Sequence, residues 1–120
     1  MASILAWILF GLGIGHIAFG LFKFKESISE AISSGFVAQF QTPEIRRTAF
    51  WFLITGFLVM LTGNITIHAA TTGDLEILKI TGIYLFVMSA IGVAAFPKSP
   101  ISATLILSPL LIATGYGLLI

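Results

Sequence analysis

The chain has 120 residues, of which 58% are hydrophobic and 9% charged, with a formal net charge of +1 and no cysteine. Soluble domains carry roughly 25% charged residues, so the shortage of polar side chains excludes a water-soluble globule, and the lack of a basic stripe excludes a nucleic-acid partner. Without cysteine there is no disulfide, no thiolate metal site and no thiol catalysis.

The first predicted element is the apolar run over residues 2–24. About 20 apolar residues cross a bilayer as a helix. No basic residue precedes the run, and Lys23 and Lys25 follow it, so it reads as a retained span rather than a signal peptide. Its centre is GLGIGHIAFG, residues 11–20. On an ideal helix Leu9, Gly13, His16, Gly20 and Lys23 share one face, while Gly11 and Gly15, four apart, lie on another. A small-xxx-small pair lets helix backbones approach, which assigns Gly11 and Gly15 to helix packing. A titratable group in lipid is costly and is expected to face the bundle interior. Two roles for His16 stay open at this point. It either hydrogen-bonds to a hydroxyl or amide on a neighbouring helix, or it binds a ligand within the membrane.

The loop over residues 25–47 carries Ile28, Ala31, Ile32, Phe36 and Phe40 at helical spacing, with serines and Glu30 between them. This predicts a short amphipathic helix at the membrane interface, interrupted at Gly35. Thr42-Pro43-Glu44 reads as a helix start, with Thr42 as cap and Pro43 as the first helical residue. The second span, residues 48–70, has Thr55, Thr62 and Thr66 along one stripe and Asn64 opposite. Hydroxyls so spaced can bond between helices or line a cavity. His68 shares a face with Asn64 near the outer end of this span. It differs in depth from His16 by roughly 15–20 Å, too far for one ion to bridge them within one chain.

The third span covers residues 77–96 and the fourth residues 101–120, joined by the tight turn FPKSP. Pro109 removes a backbone donor in mid-span and leaves the Leu105 carbonyl without its helical partner, beside Ser108. The expected fold is all-α. It is a single integral membrane domain, an up-down-up-down bundle of four transmembrane helices with the interfacial helix between spans one and two. Lys23, Lys25, Arg46, Arg47 and Lys98 flank loops one and three, against Lys79 beside loop two. The positive-inside rule then puts those two loops in the cytoplasm and both termini outside.

All five acids, Glu26, Glu30, Glu44, Asp74 and Glu76, fall in loops, so no carboxylate pair faces the bundle. No catalytic constellation and no metal set is present, which argues against an enzyme. The ligand-binding candidates are His16, Gly13, Gly20, Thr55, Thr62, Asn64 and Ser108.

GLGIGHIAFGLFKF, residues 11–24, and RRTAFWFLITGFLVMLTG, residues 46–63, together with the four-span layout, resemble the DoxX-like four-helix membrane proteins of bacteria and archaea. The resemblance implies a fold and a prokaryotic cytoplasmic membrane. Its members include quinone-coupled redox subunits and assembly helpers. The leading expectation is a non-enzymatic membrane protein that binds a lipophilic small molecule, or partner membrane subunits, through the glycine and histidine face of span one. The alternatives are a quinone-linked redox subunit or small membrane enzyme, with His16 at the quinone headgroup, and an oligomeric transporter or channel.

Overall fold

The computed structural model describes residues 1–97 and 101–118. Lys98, which enters the orientation argument, and the last two positions of the expected fourth span lie outside the described residues. The regular structure is helical: α1 (Ala2–Lys23), α2 (Lys25–Ser33), α3 (Glu44–Thr72), α4 (Leu75–Ala95) and α5 (Ser102–Gly115). No strand occurs among the described residues. The all-α expectation holds, and α1, α3 and α4 are long and apolar enough to cross a membrane.

Among the described residues three helices, not the expected four, meet that length. Helix α5 has 14 residues, about 21 Å of rise against roughly 30 Å of hydrocarbon. A glycine stops it. Gly117 takes a φ of 76°; its N–H donates to the Thr114 carbonyl and that of Leu118 to the Ala113 carbonyl, both at 2.9 Å. This pair of bonds closes a helix end in the left-handed conformation that glycine adopts without strain.

The same device ends α2. Gly35 has a φ of 108°, and the N–H groups of Gly35 and Phe36 donate to Ile32 and Ala31 at 3.1 and 3.0 Å. Helix α2 is therefore shorter than its apolar spacing suggested, and Phe36 and Phe40 lie beyond it. The start of α3 also differs by one residue. Pro43 stands just outside the helix, its carbonyl accepting from the Arg46 N–H at 3.0 Å, and the Thr42–Pro43 peptide is cis. Only Gly73 and Asp74 separate α3 from α4, where the Asp74 carboxylate caps α4 by accepting from the Ile77 N–H at 3.1 Å.

The chain divides into two compact units, one of Met1–Phe10 with Thr62–Ile120 and one of Gly11–Leu61. In the first, α4 and α5 run antiparallel: Gly82 meets Ile112, Ser89 meets Thr104, and Gly92 meets Ile101. Leu78, Gly82, Leu85 and Ser89 are the buried positions of α4, while Ile80, Tyr84, Val87 and Ile91 are exposed. Both sets follow a four-three-four spacing, so each is one face of the helix. The buried face joins two leucines to a glycine and a serine, while the exposed face carries large, mostly apolar side chains, unlike the polar outer face of a helix packed for water. The Ser89 and Thr104 hydroxyls bond at 2.7 Å across the helix pair.

In the second unit, α1 and α3 run antiparallel through a glycine contact. A Cβ added at Gly13 would lie 2.6 Å from the Met60 amide nitrogen and 3.0 Å from the Gly56 carbonyl oxygen. One added at Gly56 would meet Ile17 and the Gly13 carbonyl in return. Only glycine at these positions admits so close a backbone approach. The loop before α3 is tied down by two arginines. Arg46 pairs with Glu30 of α2 at 3.6 Å and donates to the Gln39 side chain at 3.2 Å. Arg47 donates to the Gln41 carbonyl at 2.8 Å.

A candidate ligand groove beside His16

The close approach of α1 and α3 sets the position of His16. Its imidazole lies flat on the Phe52 ring, with centroids 3.9 Å apart and planes 13° from parallel. Phe24 and Phe19 pack around the same ring at 5.5 and 6.0 Å. Gly20 leaves room for Phe52: a Cβ there would stand 2.6 Å from its ring. The His16 Nε2 is buried without a hydrogen-bond partner among the described residues. Neither the hydroxyl bond nor the amide bond considered from the sequence is made there.

Beside this stack is an open groove of about 400 Å³. Glu44, Arg47, Thr48, Trp51, Phe52 and Thr55 line it from α3, and His16 lines it from α1. The α3 residues are three and four apart, hence one face of one helix. The face is graded. Glu44 and Arg47 supply a charge of each sign at the helix start, Trp51 and Phe52 supply aromatic surface, and Thr55 closes the far end. Its hydroxyl is already committed to the Trp51 carbonyl at 2.8 Å. Such a groove can hold a molecule with a polar end and an apolar body.

The residues singled out from the sequence divide among several roles. His16 and Thr55 meet at the groove. Gly13 and Gly20, expected to bind a ligand, are filled by neighbouring side chains and backbone and act in packing. Gly11 and Gly15, expected to pack, meet nothing within 4 Å in the chain itself. Thr62, Asn64 and Ser108 belong to the other unit. Asn64 and His68 are exposed. Within the threonine stripe, the Thr55 and Thr66 hydroxyls donate to their own helix, at the Trp51 and Thr62 carbonyls, at 2.8 and 2.7 Å. Ser108 is fully buried and donates to the Leu105 carbonyl at 3.3 Å. The acceptor that Pro109 releases is thus taken by the adjacent side chain, in place of a ligand.

Glu44, Arg47, Thr48, Trp51 and Phe52 were not anticipated at a site. The signal was present in the spacing 44, 48, 51, 55, which runs from charge to aromatic surface along one helix face. No group of three histidine or acidic residues that could hold a metal occurs among the described residues.

No curated protein and no solved structure matches the chain, and nothing found links it to the DoxX-like proteins. A family model described as a family of unknown function (DUF6463) matches residues 1–116. That match spans nearly the whole sequence, and the chain belongs to that family.

Proposed function

We propose that the protein is a small integral membrane protein that holds a lipophilic small molecule in the groove beside His16. The observation that carries this reading is the graded groove itself: charged at the start of α3, aromatic along its length, and walled by the His16–Phe52 stack. The outward-facing Ile80, Tyr84, Val87 and Ile91 support a lipid surroundings for the helices. The reading keeps the ligand class expected from the sequence and moves the site. The glycines bring the helices together, and the ligand lies next to them.

Native mass spectrometry of protein released from mild detergent tests this. The expected result is a discrete added mass per copy that is lost in Trp51→Ala, a change at a side chain 59% exposed and therefore tolerated by the fold. A bare polypeptide mass under all release conditions, or an added mass unchanged in Trp51→Ala, defeats the reading.

A second reading has one specific observation in its favour. Gly11 and Gly15 are open on the surface of α1, and small residues four apart suit a helix from a partner membrane subunit. Gly11→Leu in wild-type background separates the two: it blocks helix packing there and leaves the groove untouched.

A further inference from the structure

We infer that the molecule held in the groove is a zwitterionic phospholipid whose headgroup carries an ammonium, with its phosphate at Arg47 and its ammonium at Glu44. This rests on the groove reading above and names its ligand. Three features carry it: the signs of the charges, their order, and the length of the groove along α3.

The polar end holds one cation and one anion, three residues apart on the same helix. They are not spent on each other. Among the described residues the ion pairs are Arg46–Glu30 and Lys79–Glu76. Arg47 uses one terminal nitrogen on the Gln41 carbonyl. A guanidinium has five N–H donors in a planar fork, so most of its donor capacity is left for phosphate oxygens. The Glu44 carboxylate accepts only, and an ammonium with three N–H donors matches it.

The order of the two charges is informative. Arg47 is nearer the aromatic part of the groove, and Glu44 stands about 4.5 Å farther along the helix axis toward its start. In a phosphoethanolamine headgroup the phosphate is likewise nearer the glycerol, and the ammonium lies beyond it across a two-carbon link. An anionic phospholipid with an uncharged outer group would meet Arg47 as well but would gain nothing at Glu44 and would be repelled by it. From Glu44 to Thr55 is about 16 Å of helix, enough for a headgroup, the glycerol and the first part of an acyl chain. A groove of about 400 Å³ does not enclose two chains, and its open side leaves them in the bilayer. Trp51, at the junction of polar and apolar lining, has the amphipathic ring that favours this level of a membrane.

The test is native mass spectrometry with defined lipids added to delipidated protein: dioleoyl phosphatidylethanolamine and dioleoyl phosphatidylglycerol, which share their chains. Wild type is expected to retain the ethanolamine lipid about threefold to fivefold better, the size of one exposed charge pair. Glu44→Gln is expected to erase the preference by raising retention of the glycerol lipid. Arg47→Gln is expected to lower both. Equal retention in wild type, or a preference that survives Glu44→Gln, overturns the inference. If both lipids are retained equally and both are lost in Trp51→Ala, the groove reading stands and only the headgroup assignment falls. If neither is retained above the Trp51→Ala level, both fall.

Discussion

The His16 ring is held by a helix contact that single atoms decide. At Gly13 a methyl group would collide with the backbone of Met60 and the carbonyl of Gly56, and a backbone moves less readily than a side-chain tip. Gly13→Ala is expected to lower stability by about 1–3 kcal/mol, the usual cost of overpacking. Gly11→Ala has open space around it and removes a flexible residue from a helix, so it is expected to be neutral or stabilising by up to ~1 kcal/mol. Thermal unfolding in detergent, followed by far-ultraviolet circular dichroism, distinguishes the two. The reverse order would mean that α1 packs through its other face. His16 itself was legible in the sequence, because a titratable group amid glycines in an apolar run has few reasons to be there. The role of each glycine was not. An ideal helix gives the angle between Gly11 and Gly13, but not which of two faces meets the neighbour. Glu44 and Arg47 were hidden for a different reason: charges at the end of a span serve membrane orientation in any sequence, and only a structure shows that two of them share a groove with Trp51.

At the scale of elements, α5 shows how a helix tolerates an internal proline. The backbone donor lost at Pro109 would have served the Leu105 carbonyl, and Ser108 serves it instead. This predicts coupling between neighbours. Ser108→Ala in wild type leaves that half-buried carbonyl without its side-chain donor and is expected to cost about 1–2 kcal/mol. In a Pro109→Ala background the new amide supplies the bond, and the same serine change is expected to cost under ~1 kcal/mol. Equal costs in the two backgrounds, measured as a double-mutant cycle, would separate Ser108 from the proline. At the start of α4, Asp74→Ala is expected to cost about 1 kcal/mol through loss of the cap on Ile77. The existence of the long helices was plain from hydropathy. Their ends were less so. Helix α2 stops at Gly35 and α5 at Gly117 because the backbone turns left-handed there, a choice that apolar spacing does not encode. The sequence did offer Gly35 as a break, while Gly117 was absorbed into a run of apolar residues.

For the whole molecule, the central expectation is that α3 crosses a bilayer with its two ends on opposite sides. The absence of cysteine makes this easy to examine, since every introduced cysteine is the sole thiol. Ser29→Cys on α2 and Gly73→Cys after α3 are expected to react with a membrane-impermeant maleimide from opposite faces of sealed vesicles. Labelling of both from one face would remove the membrane-spanning reading of α3. Gly117→Cys adds the test of α5. Reaction from the same face as Gly73→Cys means that the short helix also traverses the bilayer. Reaction from the Ser29→Cys face means that it enters and does not cross.

The buried bond between Ser89 and Thr104 has a bearing on how the protein is made. When the Thr104 hydroxyl donates to the Ile101 carbonyl, Ser89 donates to Thr104 in turn, giving a relay that begins on α4 and ends in the backbone just before α5. Ribosomal synthesis proceeds from the amino terminus, so α4 emerges first. By the time α5 leaves the exit tunnel, its hydroxyl has a docking point already installed. A helix of 14 residues with a proline and several hydroxyl groups is a poor client for membrane insertion by itself, and the bond to α4 is what would let it enter a bilayer as the second arm of a hairpin.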